Sequence, residues 1–141
     1  MKPVFQRVTD HDPINGQIGD CFRAATASIL EMNLDEVPHF AALCAPDYEH
    51  FWRVVNEWFS SKGMHLKFCA PLVAGGFLPI SLIGRHHFVF GSCINRGKLM
   101  GHALVGFNGV VVHDPDHTKP KLVNGIEGFG YLVDRDGRLL G

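Results

Sequence analysis

No stretch of the sequence approaches the ~18 consecutive apolar residues that a transmembrane helix needs. No apolar run of signal-peptide length follows Met1-Lys2-Pro3. The expectation is a cytoplasmic protein without a membrane partner. An excess of one charge is lacking too: Lys plus Arg number 13 against 14 for Asp plus Glu. A general nucleic-acid binder advertises a basic excess, so no nucleic-acid partner is expected. The four cysteines, Cys21, Cys44, Cys69 and Cys93, form no Cys-x-x-Cys pair. That excludes a zinc ribbon and a thioredoxin-type site, and in a reducing compartment they are free thiols. Internal repeats, low-complexity tracts and linkers are all missing. Charged residues are only 19% against 46% hydrophobic, which excludes a disordered tail.

What is present is enough chain for one core. A length of 141 residues fits a single domain over 1–141. The mean hydropathy of +0.07 suggests a well-filled core, or an apolar patch reserved for a partner or substrate. Pro3, Asp12-Pro13, Asn15-Gly16 and Gly19 interrupt any period over residues 1–20, with Val4–Val8 suited to a short edge strand. Asp20 is a good N-cap, and Cys21 to Leu30 follows without Gly or Pro. Ala24, Ala25, Ala27 and Ser28 let this helix pack closely, so it reads as central and buried. Asn33 and Pro38 end it, with an extra turn at Leu34 to Val37. Tyr48, Phe51, Trp52, Val55, Trp58 and Phe59 recur at helical spacing, and Gly63 stops that helix. The aromatic stripe suits a core face, and also a ligand platform. Met64–Cys69, Leu78–Ile83, His87–Cys93, His102–Phe107, Val110–His113 and Tyr131–Val133 read as strands. Asn108-Gly109 signals a two-residue hairpin. Helices first and strands later predict an α+β fold, an antiparallel sheet with helices packed on one side.

Cys21 falls at the first turn of the buried helix, after the loop Asn15-Gly16-Gln17-Ile18-Gly19-Asp20. Helix N-terminal amides and the macrodipole favour a thiolate there, and the thiolate is the nucleophile. Asp20 opposes this by charge unless it is occupied in capping. A small buried core residue explains Cys21 equally well. His102 enters a strand after the polar loop Asn95 to Gly101. The Asn108-Gly109 turn sets His102 opposite Pro115, and a one-residue stagger or bulge brings it beside Asp114. A carboxylate bonded to imidazole fixes its tautomer and stabilises the imidazolium. A structural contact closing the hairpin explains the same pair. Together, a helix-start thiol followed by strand–His–turn–strand–Asp has the order of parts of a Cys-His-Asp hydrolase.

On these residues the chain resembles the papain-like cysteine peptidases, especially the compact bacterial branch that includes double-glycine leader (bacteriocin-processing) peptidases. The matching stretches are Gly19-Asp20-Cys21-Phe22-Arg23-Ala24-Ala25, Gly101-His102-Ala103-Leu104-Val105 and Val111-Val112-His113-Asp114-Pro115. It is more similar still to small bacterial and phage proteins with a Glu-Val-Pro-His-Phe run, here Glu36 to Phe40. The resemblance implies a minimal papain-like fold. It makes Cys21 the nucleophile, His102 the general base and acid, and Asp114 the orienting group. The family's oxyanion donor is a Gln about six residues before the cysteine; here Asn15 stands at that distance and Gln17 at four. Gln17, Asn15 and Gln6 can all donate an amide N–H, and Gln17 is favoured because Gly16 and Gly19 free its backbone. The implied reaction is peptidase, amidase or acyl-transfer chemistry on an extended peptide or small amide, with no cofactor. The missing wall-forming insertions predict a shallow cleft, which a host or partner protein could complete.

Two other readings compete. Arg96 and Lys98, on loops near the His102 strand, suit a substrate carboxylate or phosphate, and would serve a binding module without turnover. His113-x-x-x-His117, with His102 and Asp114, has ligand-like spacing. Pro115 forbids a helix through that run, so no metal is expected.

Overall fold

A computed structural model describes residues 1–72 and 75–141. Three α-helices pack on a five-stranded antiparallel sheet, which makes the fold α+β. The helices are α1 (Cys21–Leu30), α2 (Phe40–Cys44) and α3 (Phe51–Ser61). The strands are β1 (Met64–Cys69), β2 (His86–Asn95), β3 (Lys98–Phe107), β4 (Val110–His113) and β5 (Gly128–Asp134), in the order β1-β5-β2-β3-β4. No helix among the described residues is long and apolar enough to cross a membrane.

The small residues of α1 do what their size suggests. Ala24, Ala25 and Ala27 are fully buried, and Ser28 Oγ donates to Ala24 O while accepting from Val4 N–H. Phe22 anchors the helix to the sheet, its ring 5.0 Å from Phe88 and 5.6 Å from Phe40. Removing an aromatic side chain from such a site costs about 3–5 kcal/mol. Helix α3 buries Val55 and Phe59 in the same cluster. Val89, Leu104, Phe129 and Leu82 form a second cluster. Alternation along β2 and β3 explains the division, since Phe88 and Val105 join the first cluster while Val89 and Leu104 join the second.

Several expectations need correction. Residues 4–8 form no strand; their backbone is tied singly, Val4 to Ser28, Gln6 to Pro115 and Val8 to the Asp20 carboxylate. Leu78–Ile83 is not a strand either. Pro79 lacks a ladder N–H, and a 3-10 turn covers Ile80–Leu82 with Leu82 buried beneath. The supposed loop 95–101 is a hairpin. Arg96 (φ 51°) and Gly97 (φ 75°) make a tight turn, and β3 begins at Lys98. Two consecutive positive φ values match the twist of the flanking strands. The second long helix starts at Phe51, after a 3-10 turn at Tyr48–His50. The short helix α2 carried no periodic signal strong enough to read.

Candidate active site

Asp20 stands before α1, yet its side chain does not cap the helix. The carboxylate is buried, accepts from Val8 N–H at 3.0 Å and lies 3.7 Å from Arg23 Nη1. Its charge is therefore engaged by a cation and by backbone donors rather than left facing the thiol. Cys21 follows as the first helical residue, half-buried, with the free amides of the first turn behind it.

His102 reaches the site from β3, where it pairs with Gly91 of β2. It is buried, and its Nε2–H donates to Asp114 Oδ1 at 2.8 Å. The route to this contact is a bulge. Phe107 pairs with Val110 and Gly106 with Val111, as the turn dictates, but Val105 then pairs with His113. The shift leaves Val112 without a partner and turns every later side chain to the opposite side of the ladder. Asp114 thereby comes to lie on the side that carries His102. The Asp114 carboxylate is held in turn by Asp116 N–H at 2.9 Å, and Asp116 Oδ1 accepts from Thr118 N–H and Oγ–H.

With Nε2 committed to Asp114, Nδ1 is the ring nitrogen left for Cys21. Burial alone would lower the His102 pKa. Hydrogen bonds to Asp114 and to Cys21, and the charges of both, overcome it and raise the pKa to about 10. The imidazole is thus held as a cation between the Asp114 carboxylate and the Cys21 sulfur.

Cys21 and His102 line one cleft of about 480 Å³, while Asp114 lies outside its lining. Phe22, Tyr48, Phe51 and Trp52 supply an apolar wall, so the helical aromatic stripe serves both core and cleft. Among the three candidate amide donors only Gln6 lines the cleft. Its Nε2–H donates to Val8 O at 3.0 Å, and its Oε1 is buried without a partner. Gln17 is exposed and spends its backbone on Asp12, and Asn15 is bonded to the Asp12 carboxylate. No spacing rule pointed to Gln6; it is carried to the site by the backbone bond from its N–H to Pro115 O.

Arg96 and Lys98 lie outside the cleft lining. Arg96 is paired with Asp10 at 2.9 Å and Asp12 at 3.5 Å. Lys98 is an exposed strand residue rather than a loop residue. The histidines around the site are structural: His113 Nε2–H donates to Val4 O, His39 Nε2–H to Ile18 O, and His11 Nδ1 accepts from Gly19 N–H. Among the described residues the one group close enough to share a metal ion is Asp47, Glu49 and His50, all exposed and apart from His113 and His117. Trp52, Asp116 and Glu127 line the cleft without having been singled out individually for it. Trp52 had the aromatic stripe as its sequence signal; Asp116 and Glu127 had none, because the return of residues 116–127 to the site is a tertiary fact. The chain matches no family model, no curated protein and no solved structure.

Proposed function

We propose that this chain is a minimal papain-like cysteine hydrolase, acting in the cytoplasm on an amide or peptide bond or transferring its acyl group. The observation that carries the reading is the buried His102 ring, bonded to Asp114 at 2.8 Å and lining the same cleft as Cys21. The Cys21 sulfur attacks the carbonyl carbon, and the carbonyl π electrons move to oxygen. The Cys21 backbone N–H and the Gln6 Nε2–H not spent on Val8 O serve as donors to that oxyanion, a role supported by both residues lining the cleft. The tetrahedral intermediate collapses as His102 gives its proton to the leaving amine, leaving an acyl-thioester. His102, now neutral, takes a proton from water or from an acceptor nucleophile, which attacks the thioester and restores the thiolate–imidazolium pair. Asp114 holds the imidazole in the tautomer both steps require.

The four free cysteines fit a reducing compartment. A binding-only module that holds its ligand through Arg96 and Lys98 draws less support, because Arg96 is already occupied by Asp10 and Asp12. Incubation with a peptide-amide mixture in ¹⁸O-water tests the reaction. A hydrolase adds one ¹⁸O atom to each new carboxylate, and Cys21→Ala removes the product. Label appearing equally with the Cys21→Ala protein would refute the assignment.

A further inference from the structure

We infer that the cleft wall formed by Trp52, Phe90 and Glu127 receives a cationic group of the substrate, an arginine or lysine side chain, beside the bond that Cys21 attacks. The inference rests on the hydrolase reading and names its substrate class.

Glu127 sits at the rim of the cleft, pinned to β2 by its backbone N–H on Phe90 O at 2.8 Å. Ser92 Oγ lies 3.0 and 3.1 Å from its two carboxylate oxygens, and Asn124 Nδ2 lies at 3.5 Å. Those neutral donors orient the carboxylate, but they bring no positive charge. None of the ion pairs among the described residues includes Glu127. Asp116, only 6% exposed and lining the same cleft, is also without a cationic partner.

Two other charged groups of the cleft already have partners. Asp20 is matched by Arg23, and the His102 imidazolium by Asp114. What is left over is negative, and it borders an aromatic face. Trp52 remains 41% exposed and stands edge-on to Phe90 and Phe68, at ring distances of 5.9 and 5.0 Å. An indole face and an oriented carboxylate lining one cleft suit a guanidinium or ammonium, which gains from both. A neutral side chain would displace water from the carboxylate and bring no charge in return, which is costly.

Binding to the Cys21→Ala protein separates this inference from the reaction itself, since no turnover is needed. The probes are three blocked tripeptide amides, identical except for a central arginine, lysine or citrulline, titrated calorimetrically. Citrulline keeps the shape of arginine without its charge. The arginine and lysine peptides should bind about tenfold more tightly than the citrulline peptide, the increment of one charge-assisted hydrogen bond. Glu127→Gln should remove that preference, and Glu127→Lys should reverse it. Equal binding of all three peptides, a preference that survives Glu127→Gln, or no binding of any of them would overturn the inference. Failure of the hydrolase reading would appear elsewhere, as intact peptides in the ¹⁸O experiment while the charge preference persists.

Discussion

His113 pairs with Val105, one residue from the Leu104 partner that the Asn108-Gly109 turn alone would assign. That displacement decides the side on which the next residue, Asp114, presents its carboxylate. His113 is left free to donate to Val4 O and so to hold the N-terminal segment in place. One unpaired valine therefore serves two ends: it orients the carboxylate of the site and anchors the chain that brings in Gln6.

Thiol reactivity should follow the site geometry. Burial pushes the Cys69 and Cys93 thiols up, away from the reactive thiolate form. Cys21 sits at a helix N-terminus beside an imidazolium. Iodoacetamide near neutral pH should modify Cys21 before Cys44, Cys69 or Cys93, as read by peptide mapping. Equal rates across the four would sink the nucleophile role.

The His102 charge should be visible directly. Its pKa in the folded chain is about 10, against an ordinary 6.5. The folded state therefore binds more protons than the unfolded state between those values, and stability falls as pH rises through that window. The contribution is complete below about pH 6.5, on the ordinary histidine value. Imidazole NMR should find His102 protonated at pH 8, and a neutral ring there would contradict the geometry. Asp114→Asn should lower the midpoint and flatten the fall in Tm between neutral and alkaline pH.

Catalytic coupling distinguishes a working unit from three neighbours. Cys21→Ala should abolish turnover while leaving the fold intact. His102→Ala should cost about as much, and the double variant little more. Asp114→Asn should lower kcat by about 10⁴, since its amide favours the wrong imidazole tautomer. Additive losses would mean that the three residues do not act together.

The amide donors can be told apart by rate. Gln6→Ala should lower kcat by about 10²–10³, the cost of one oxyanion donor. Gln17→Ala, altering an exposed side chain outside the cleft, should leave it unchanged. A reversed result would relocate the oxyanion site.

Gly106 tests the framework behind the hairpin. A Cβ there would come within 2.3 Å of His87 Cε1. His87 is buried, donates from Nδ1 to Phe88 O and accepts Gly109 N–H on Nε2 at 3.0 Å, so its ring cannot move away freely. Gly106→Ala should cost about 1–3 kcal/mol by overpacking, read from denaturant unfolding. A neutral outcome would show that the ring can shift.

The sequence disclosed what local chemistry controls. Helix α1 was legible because ten residues without Gly or Pro follow Asp20, and the long aromatic helix because its stripe keeps helical spacing. The strand hairpin was legible from Asn108-Gly109. Arg96-Gly97 was not read as a turn of the same kind, because arginine rarely takes the positive φ it adopts there. Asp20 was legible as the residue before a helix but not as a buried anchor for Arg7, Val8 and Arg23. The His102–Asp114 contact required a bulge whose position Val110-Val111-Val112 does not mark. Gln6 and Glu127 stand far from Cys21 in sequence, and only the packed chain unites them.

Strand β5 lies between β1 and β2, although it is the last of the five to be synthesised. Until residues 128–134 have left the ribosome, β1 has no neighbour in the sheet, and Phe88 to Phe90 of β2 lack theirs on that side. A nascent chain halted before Gly128 holds open strand edges beside Phe68, Phe90 and Trp52. Those edges can template pairing with other chains, so the interval before β5 is made is the one in which this sheet is most open to mispairing.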